Sequence, residues 1–456
     1  MYPIIAKYAF YTVEFFRQEY VYRHLKELEK NQFLSPCEIN NLKSNKLNKL
    51  LKYVLNNNLF YQKKYTGFNP LEDFSSIPIL TKDELRENYN NIVTKQHKQK
   101  TYLVETSGST GAPLQFYRDK LVFGYTLASL YRGHRWWGLD IGFKEAMLWG
   151  IPIDYKNRLK AKLKDIMLNR FREREYNISH DTLFDFYHKV KRRRPDYLFG
   201  YSSMIYEFAM FLQEMNLPGG NLGINNAICT AEQISSFQRK TIESTFECKV
   251  ISEYGATETG IITYECPSGN NHISDDCVYV EIVDDNNMPV PDGEPGRVIV
   301  TVLHSFSSPI IRYELGDIAC KSSYNNCNCG VNLSSLEKII GRTSDIVLTP
   351  GGQSYHSIIF YYIIKDFTRK HGGIKQFKVR QSALDRLEFH LVLTDQSTHI
   401  IETYIRKQIR KKFGGEMKLE FIYHDYLKRE KSGKLRDFES VLDTTGCANL
   451  KLKFRS

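Results

Sequence analysis

Leucines recur at Leu47, Leu50, Leu51 and Leu55. Steps of three and four place them along one stripe of a helix, and the spacing predicts a helix over 43–58. Residues 1 to about 70 read as helical in the same way. Thr81-Lys82-Asp83-Glu84 sets a hydroxyl three residues before a carboxylate, which marks a helix start. From Tyr102 the pattern changes. Short apolar runs at Ala146 to Trp149, Tyr197 to Phe199, Ala227 to Thr230 and Val250 to Ser252 alternate with helical stretches. That alternation predicts βαβ units and a mainly parallel sheet. Val278 to Val283 and Arg297 to Leu303 flank the turn cluster Asp284-Asp285-Asn286-Asn287 and predict an antiparallel or barrel-like layer. Gln376 to Val379 and Leu387 to Leu393 alternate as strands before a basic helix, Ile400 to Phe413. The expected fold class is α/β. A large N-terminal domain, residues 1–340, would hold layered mixed and parallel sheets with helices plus a small barrel-like β layer. A small α+β domain, residues 341–456, would follow.

Composition narrows the class. The 456 residues are 42% hydrophobic and 25% charged, as in a soluble globular protein with a large core. No apolar run reaches the ~20 residues of a membrane span. Lys7, Glu14 and Arg17 interrupt the first apolar residues and no small-residue cleavage site follows, so no signal peptide is expected. The net charge of +11 suits anionic ligands such as nucleotides. Nucleic acid is not expected as a partner, because no RNA- or DNA-binding signature accompanies the charge. The basic runs Lys189 to Arg194 and Arg406 to Lys412 read as solvated helix faces. Ile4 to Leu28 is aromatic, basic and amphipathic, which fits a membrane-surface helix. Glu14, Glu19 and Glu27 on its polar side favour instead a helix packed on its own domain, with peripheral membrane contact as the lesser alternative. Nine cysteines, an odd count, argue for a reducing, cytoplasmic setting.

Four sets of residues carry candidate chemistry. Thr106-Ser107-Gly108-Ser109-Thr110-Gly111 is a hydroxyl- and glycine-rich loop after an apolar run. Glycines let backbone N–H groups approach a phosphate, although such turns are common without one. It lacks the Gly-Lys-Ser/Thr of a Walker loop. Tyr254-Gly255-Ala256-Thr257-Glu258 sets a hydroxyl beside a carboxylate at a strand end, and one Glu can serve Mg²⁺. Lys431-Ser432-Gly433-Lys434 offers a cation on a flexible loop. Cys266, His272, Cys327 and Cys329 supply three thiols and an imidazole in two short clusters, a set suited to structural Zn²⁺; reduced, unliganded cysteines are the alternative.

In this order the segments resemble the adenylate-forming superfamily, in particular its phenylacetate-CoA ligase and CapK-like branch, over nearly the whole chain. The resemblance implies an AMP-forming ligase using ATP and Mg²⁺. The 106–111 loop would hold the triphosphate, with Ala112 standing where the family usually has Lys. Tyr254 would stack on adenine, with Gly255 part of the same ATP-binding motif; Thr257 would bond the α-phosphate and Glu258 would hold the Mg²⁺. Thr230-Ala231-Glu232 resembles an adenine-contacting segment, Asp317 would accept the ribose hydroxyls, and Arg342 would contact the nucleotide at a hinge that makes the C-terminal domain mobile. Lys434 would bridge the substrate carboxylate and the α-phosphate. Cys266, His272, Cys327 and Cys329 match a Cys/His pattern of the same branch. The implied reaction joins a small carboxylate to an acceptor: a CoA thiol, a sugar amine or hydroxyl, or a carrier. Capsule or surface-polysaccharide synthesis is the implied setting. Alternatives are an aryl-CoA ligase acting on phenylacetate, adenylylation of a deazaflavin-type cofactor, and a non-catalytic scaffold in polysaccharide assembly. Phe116, His134, Trp136, Trp137 and Tyr201 could line an acyl pocket, but for each, core packing is the commoner role.

Overall fold

A computed structural model describes residues 3–94, 100–106, 114–149, 158–173, 179–323, 327–342, 346–371, 373–394, 398–429 and 435–442. The chain divides into two compact units, Met1–Ile339 and Ile340–Ser456.

The first unit opens with α1 (Pro3–Phe16), α2 (Val21–Asn31), α3 (Pro36–Asn57), α4 (Leu59–Lys64) and α5 (Lys82–Ile92). Their starts are written locally. Ser35 and Glu38 form a reciprocal capping box at α3, Asn58 caps α4, and the Thr81 hydroxyl accepts the Glu84 amide at α5. The leucine stripe is the buried face of α3: Leu47, Leu50, Leu51 and Val54 enter a core shared with Tyr61, Leu80 and Tyr313.

Strands β1 (Thr101–Thr106) and β2 (Leu114–Asp119) pair as an antiparallel hairpin, with Thr106 opposite Leu114. Helix α6 (Lys120–Trp136) follows, capped by Asp119. The βαβ region then delivers β3 (Glu145–Leu148), α7 (Arg158–Met167), β4 (Arg170–Glu173), α8 (His180–Arg193), β5 (Tyr197–Tyr201), α9 (Ser202–Glu214), β6 (Asn226–Thr230), α10 (Ser236–Phe246) and β7 (Lys249–Ala256). Strands β4, β3, β5, β6 and β7 pair in parallel in that order. All five β6 residues are buried, as befits a strand covered on both faces.

The antiparallel strands are β8 (Gly260–Glu265), β9 (Asn271–Ile273), β10 (Val278–Val283), β11 (Pro295–Val302), β12 (Tyr313–Lys321) and β13 (Ser335–Arg342). They continue the same eleven-stranded ladder, in the order β10-β11-β12-β13-β9-β8-β7, rather than forming a detached layer. Strand β7 is the joint, parallel to β6 on one side and antiparallel to β8 on the other. In a flat sheet β7 and β12, four strands apart, would lie about 19 Å from each other. Yet Tyr254 on β7 donates its hydroxyl hydrogen to Asp317 on β12 at 2.7 Å. The antiparallel half therefore curls on itself, which gives the barrel-like character expected from its short strands.

Arg312 locks the entry to β12. It is buried with φ of 46° and pairs with Glu281 at 3.1 Å. It also donates to the carbonyls of Ile77 at 2.6 Å and Asn287 at 3.2 Å.

The second unit pairs β14 (Ile346–Leu348) with β15 (Ser354–His356). A four-stranded sheet is ordered β18 (Lys418–Tyr423), β17 (Arg386–Leu393), β16 (Ile374–Ala383), β19 (Phe438–Ser440), beside α11 (Ile358–His371) and α12 (Thr398–Phe413). Ile401, Ile405, Ile409 and Phe413 recur every four residues on α12 and are its buried stripe.

Candidate active site

Strand β7 ends where the parallel and antiparallel halves meet. Its last residues, Glu253 to Ala256, lead through Thr257 and Glu258 into β8. The turn is tight. A Cβ on Gly255 would sit 2.3 Å from the Gly260 carbonyl oxygen, and Gly260 itself has φ of 80°. The pairing also shifts register between Tyr254 and Gly255, a bulge of the kind that re-aims side chains.

Strand β12 supplies the other wall. Tyr313 and Asp317 are four residues apart, so strand alternation favours one side for both. The Tyr254 hydroxyl binds Asp317 Oδ2 at 2.7 Å, and the Tyr313 hydroxyl binds Glu258 Oε1 at 3.2 Å. Two carboxylates from distant sequence thus share one wall, each oriented by a phenol. Tyr313 was not singled out by the sequence. Its signal is its place in the Arg312-Tyr313 step before Asp317. Thr257 is exposed.

A third element is Arg118 on β2. Its guanidinium donates to Thr126 Oγ1 at 2.7 Å, and its Nε is buried with no hydrogen-bond partner among the described residues. It lies next to Gly260: a Cβ there would be 3.2 Å from Arg118 Nη2. Burial pulls this guanidinium down to about 10, with the charges of Glu258 and Glu19 acting the other way. The residue as a whole is half-buried, and among the described residues one hydroxyl and the face of the Phe123 ring hold this cation, so it retains donors for an anionic ligand group. Sequence patterns offered no signal for Arg118 beyond its position in the hairpin that flanks 107–113.

The Thr230-Ala231-Glu232 segment leaves the neighbouring strand end. Thr230 donates to Glu253 Oε1 at 2.8 Å. The other oxygen of Glu253 is buried with no partner among the described residues, and burial pushes its carboxyl up to about 7. Ala231 holds a left-handed φ of 65°, a strained conformation for a residue with a Cβ. Glu232 caps α9, its carboxylate accepting the Ser203 amide at 2.9 Å and its carbonyl the Ser202 hydroxyl at 2.9 Å. Thr106 is the last residue of β1, and Arg342 the last of β13. Ser107, Gly108, Ser109, Thr110, Gly111 and Lys434 lie outside the described residues. Of the aromatic candidates, Phe116, His134 and Tyr201 are buried, and burial drives the His134 imidazole down to about 3. The Trp136 indole N–H binds Gln32 Oε1 at 2.8 Å, and that of Trp137 the Glu265 carbonyl at 2.7 Å.

The Cys/His set converges. The ligand atoms of Cys266, His272, Cys327 and Cys329 all lie within 4.8 Å of one another. Cys266 Sγ is 3.6 Å from Cys327 Sγ, and His272 Nε2 is 3.3 Å from Cys329 Sγ. Tetrahedral zinc would set such pairs about 3.8 Å and about 3.6 Å apart. His272 Nδ1 lies 2.8 Å from the Leu333 carbonyl, so it carries the proton and Nε2 turns its lone pair to the sulfurs. Against the effect of burial, hydrogen bonds including one from Asn270 hold the Cys327 thiol down at about 6, whereas burial and neighbouring thiols push Cys329 up to about 12. Three thiolates crowded together need a cation to ionise together. The donor set fits zinc.

No protein-family model matches the chain. Protein CapK of Staphylococcus aureus is 22% identical over 448 residues, spanning 95% of this chain and 96% of CapK. A phenylacetate-coenzyme A ligase of Thermus thermophilus is 22% identical over 440 residues, 87% of this chain and 95% of the ligase. Among solved structures, 2-hydroxyisobutyryl-CoA ligase in its postadenylation state superposes with a TM-score of 0.73 at 19% identity, covering 90% of this chain and 91% of the ligase. The likeness runs over nearly the whole chain: in sequence it is to CapK and the phenylacetate-CoA ligases, and in fold to CoA ligases that form an acyl-adenylate.

Proposed function

We propose that the chain is an AMP-forming ligase that activates a carboxylic acid with MgATP and passes the acyl group to an acceptor, with the CoA thiol as first candidate. The observation that carries this reading is the shared wall on which Tyr254 binds Asp317 and Tyr313 binds Glu258. Asp317 offers a carboxylate to the two ribose hydroxyls, and Tyr254 an aromatic face to adenine. Glu258 and the phosphate oxygens offer the oxygen ligands that Mg²⁺ takes, and the metal supplies charge neutralisation at the phosphates. The substrate carboxylate attacks the α-phosphorus, an acyl–phosphate bond forms, and the bond to the β-phosphate oxygen breaks to release pyrophosphate. Attack of one anion on another is opposed by charge, so the Lys434 ammonium and the Arg118 guanidinium are the cations assigned to that barrier. The second unit, from Ile340, carries Lys434. In the second half-reaction the acceptor displaces AMP. Cys266, His272, Cys327 and Cys329 hold a structural zinc that ties the β8–β9 hairpin to the loop after β12. Likeness to CapK suggests a place in capsule or surface-polysaccharide synthesis, with a sugar or carrier as the alternative acceptor.

The test is ATP–pyrophosphate exchange against a panel of acids that includes phenylacetate and 2-hydroxyisobutyrate, followed by AMP release with and without CoA. Exchange with one acid supports the reading. Exchange with none, while MgATP still binds, overturns it in favour of a scaffold or of stable AMP transfer to a hydroxyl.

A further inference from the structure

Glu14 and Glu19, which looked like part of a solvated polar side in the sequence, are buried. Glu14 faces inward with Ala6 and Phe10, and Arg17 covers Glu19 at 2.9 Å. What α1 turns outward is therefore the opposite of a solvated face. Ile4, Ile5, Tyr8, Phe15 and Phe16 are between 54% and 79% exposed, and Thr12 is exposed beside them. At about 100° per residue these six positions fall within an arc of about 120°, and none carries a charge.

The apolar surface has neighbours. Tyr20 and Tyr22, at the start of α2, are exposed, and Phe15 and Tyr20 meet edge-on with ring centroids 6.0 Å apart. Helix α7 packs against α1 and exposes Leu163 and Ile166. Among the described side chains of these two neighbouring helices the exposed charge is cationic: Arg23, Lys26 and Lys30 on α2, and Lys162 and Lys164 on α7. The α2 acids are half-buried and engaged, Glu27 with Lys46 at 3.1 Å and Glu29 with Arg135 at 2.6 Å.

We infer that the outer face of α1, flanked by α2 and α7, docks on an anionic lipid bilayer. A charge-free stripe of aliphatic and aromatic side chains suits the boundary between headgroups and acyl chains, and exposed tyrosines suit the same depth. Cations on the adjoining helices match anionic headgroups. A second copy of this chain is the poorer occupant. A two-fold contact through this face would bring the same cations toward one another in a chain of net charge +11. No helix among the described residues is long and apolar enough to cross a membrane, so the contact is with the surface.

The test is co-sedimentation of the full chain with phosphatidylcholine vesicles containing phosphatidylglycerol, alongside pure phosphatidylcholine vesicles. The chain is expected to pellet with the anionic vesicles and to be released as salt rises. Replacing Phe15 and Phe16 together by Ser is expected to weaken binding at least about tenfold. The helix content and melting temperature should not change, because both side chains already face solvent. Lys26→Glu with Lys162→Glu should weaken binding to the anionic vesicles alone. A chain that stays in the supernatant with both vesicle types overturns the inference, as does a Phe15/Phe16 variant that binds like the parent. A concentration-dependent dimer that the same variant abolishes, without vesicle binding, also overturns it and assigns the face to a second copy.

Discussion

Replacing Glu253 by Gln tests how the sheet end around the candidate nucleotide site is held. Glu253 is 9% exposed, takes one hydrogen bond from Thr230, and leaves its second oxygen buried with no partner among the described residues. Burial raises its carboxyl from the ordinary 4.5 to about 7. Below pH 4.5 the group is protonated both folded and unfolded, and it costs nothing. Between pH 4.5 and 7 the unfolded chain releases the proton while the folded chain keeps it. The folded state then binds more protons, and stability falls as pH rises through that window. The interval corresponds to about 3 kcal/mol, fully expressed above pH 7. Glu253→Gln has the same shape and does not ionise. Its extra buried amide hydrogen adds a constant cost of about 1 kcal/mol that cancels when one pH is compared with another. The difference in stability between variant and parent should therefore shift by about 3 kcal/mol in favour of the variant from pH 4.5 to pH 8. All three tryptophans, Trp136, Trp137 and Trp149, lie in the first unit, so urea unfolding followed by tryptophan fluorescence reads the right part of the chain. Glu281 and Glu14, which burial also raises, are common to both proteins and drop out of the difference. A variant-to-parent difference that stays constant from pH 4.5 to 8 would refute the reasoning.

Lys434→Ala should slow pyrophosphate exchange by about 10²–10³, equivalent to roughly 3–4 kcal/mol of barrier, while MgATP binding measured by calorimetry is kept. Asp317→Asn should raise the Kd for ATP about tenfold or more, since charge-assisted hydrogen bonds contribute about 1.5–3 kcal/mol, and fluorescence titration with ATP checks it. Metal analysis should find one zinc per chain, lost in Cys327→Ser, with a lowered melting temperature that chelation reproduces in the parent. Arg312→Ala should cost about 3–5 kcal/mol in urea unfolding, because Glu281 would be left buried and unpaired; Glu281→Gln with Arg312→Met should recover part of that loss.

The sequence by itself determined the local elements and the residue types of the site. The leucine steps of α3, the cap at Thr81 and the apolar runs of β3, β5, β6 and β7 are properties of neighbouring residues, and each appears within a few positions of where periodicity put it. The Cys/His spacing likewise pointed to a cluster before any fold was known, because few other roles gather those side chains. Tertiary structure alone decided which side chains meet. Tyr254 reaches Asp317 only because the sheet curls across four strands, and no run of residues encodes that distance. Arg118 became a candidate only once β2 was seen beside Gly260. The first helix turned its apolar stripe outward because Glu14 and Glu19 found burial and Arg17, a choice that amphipathic pattern leaves open. Periodicity fixes the faces of an element; which face is covered depends on what packs against it.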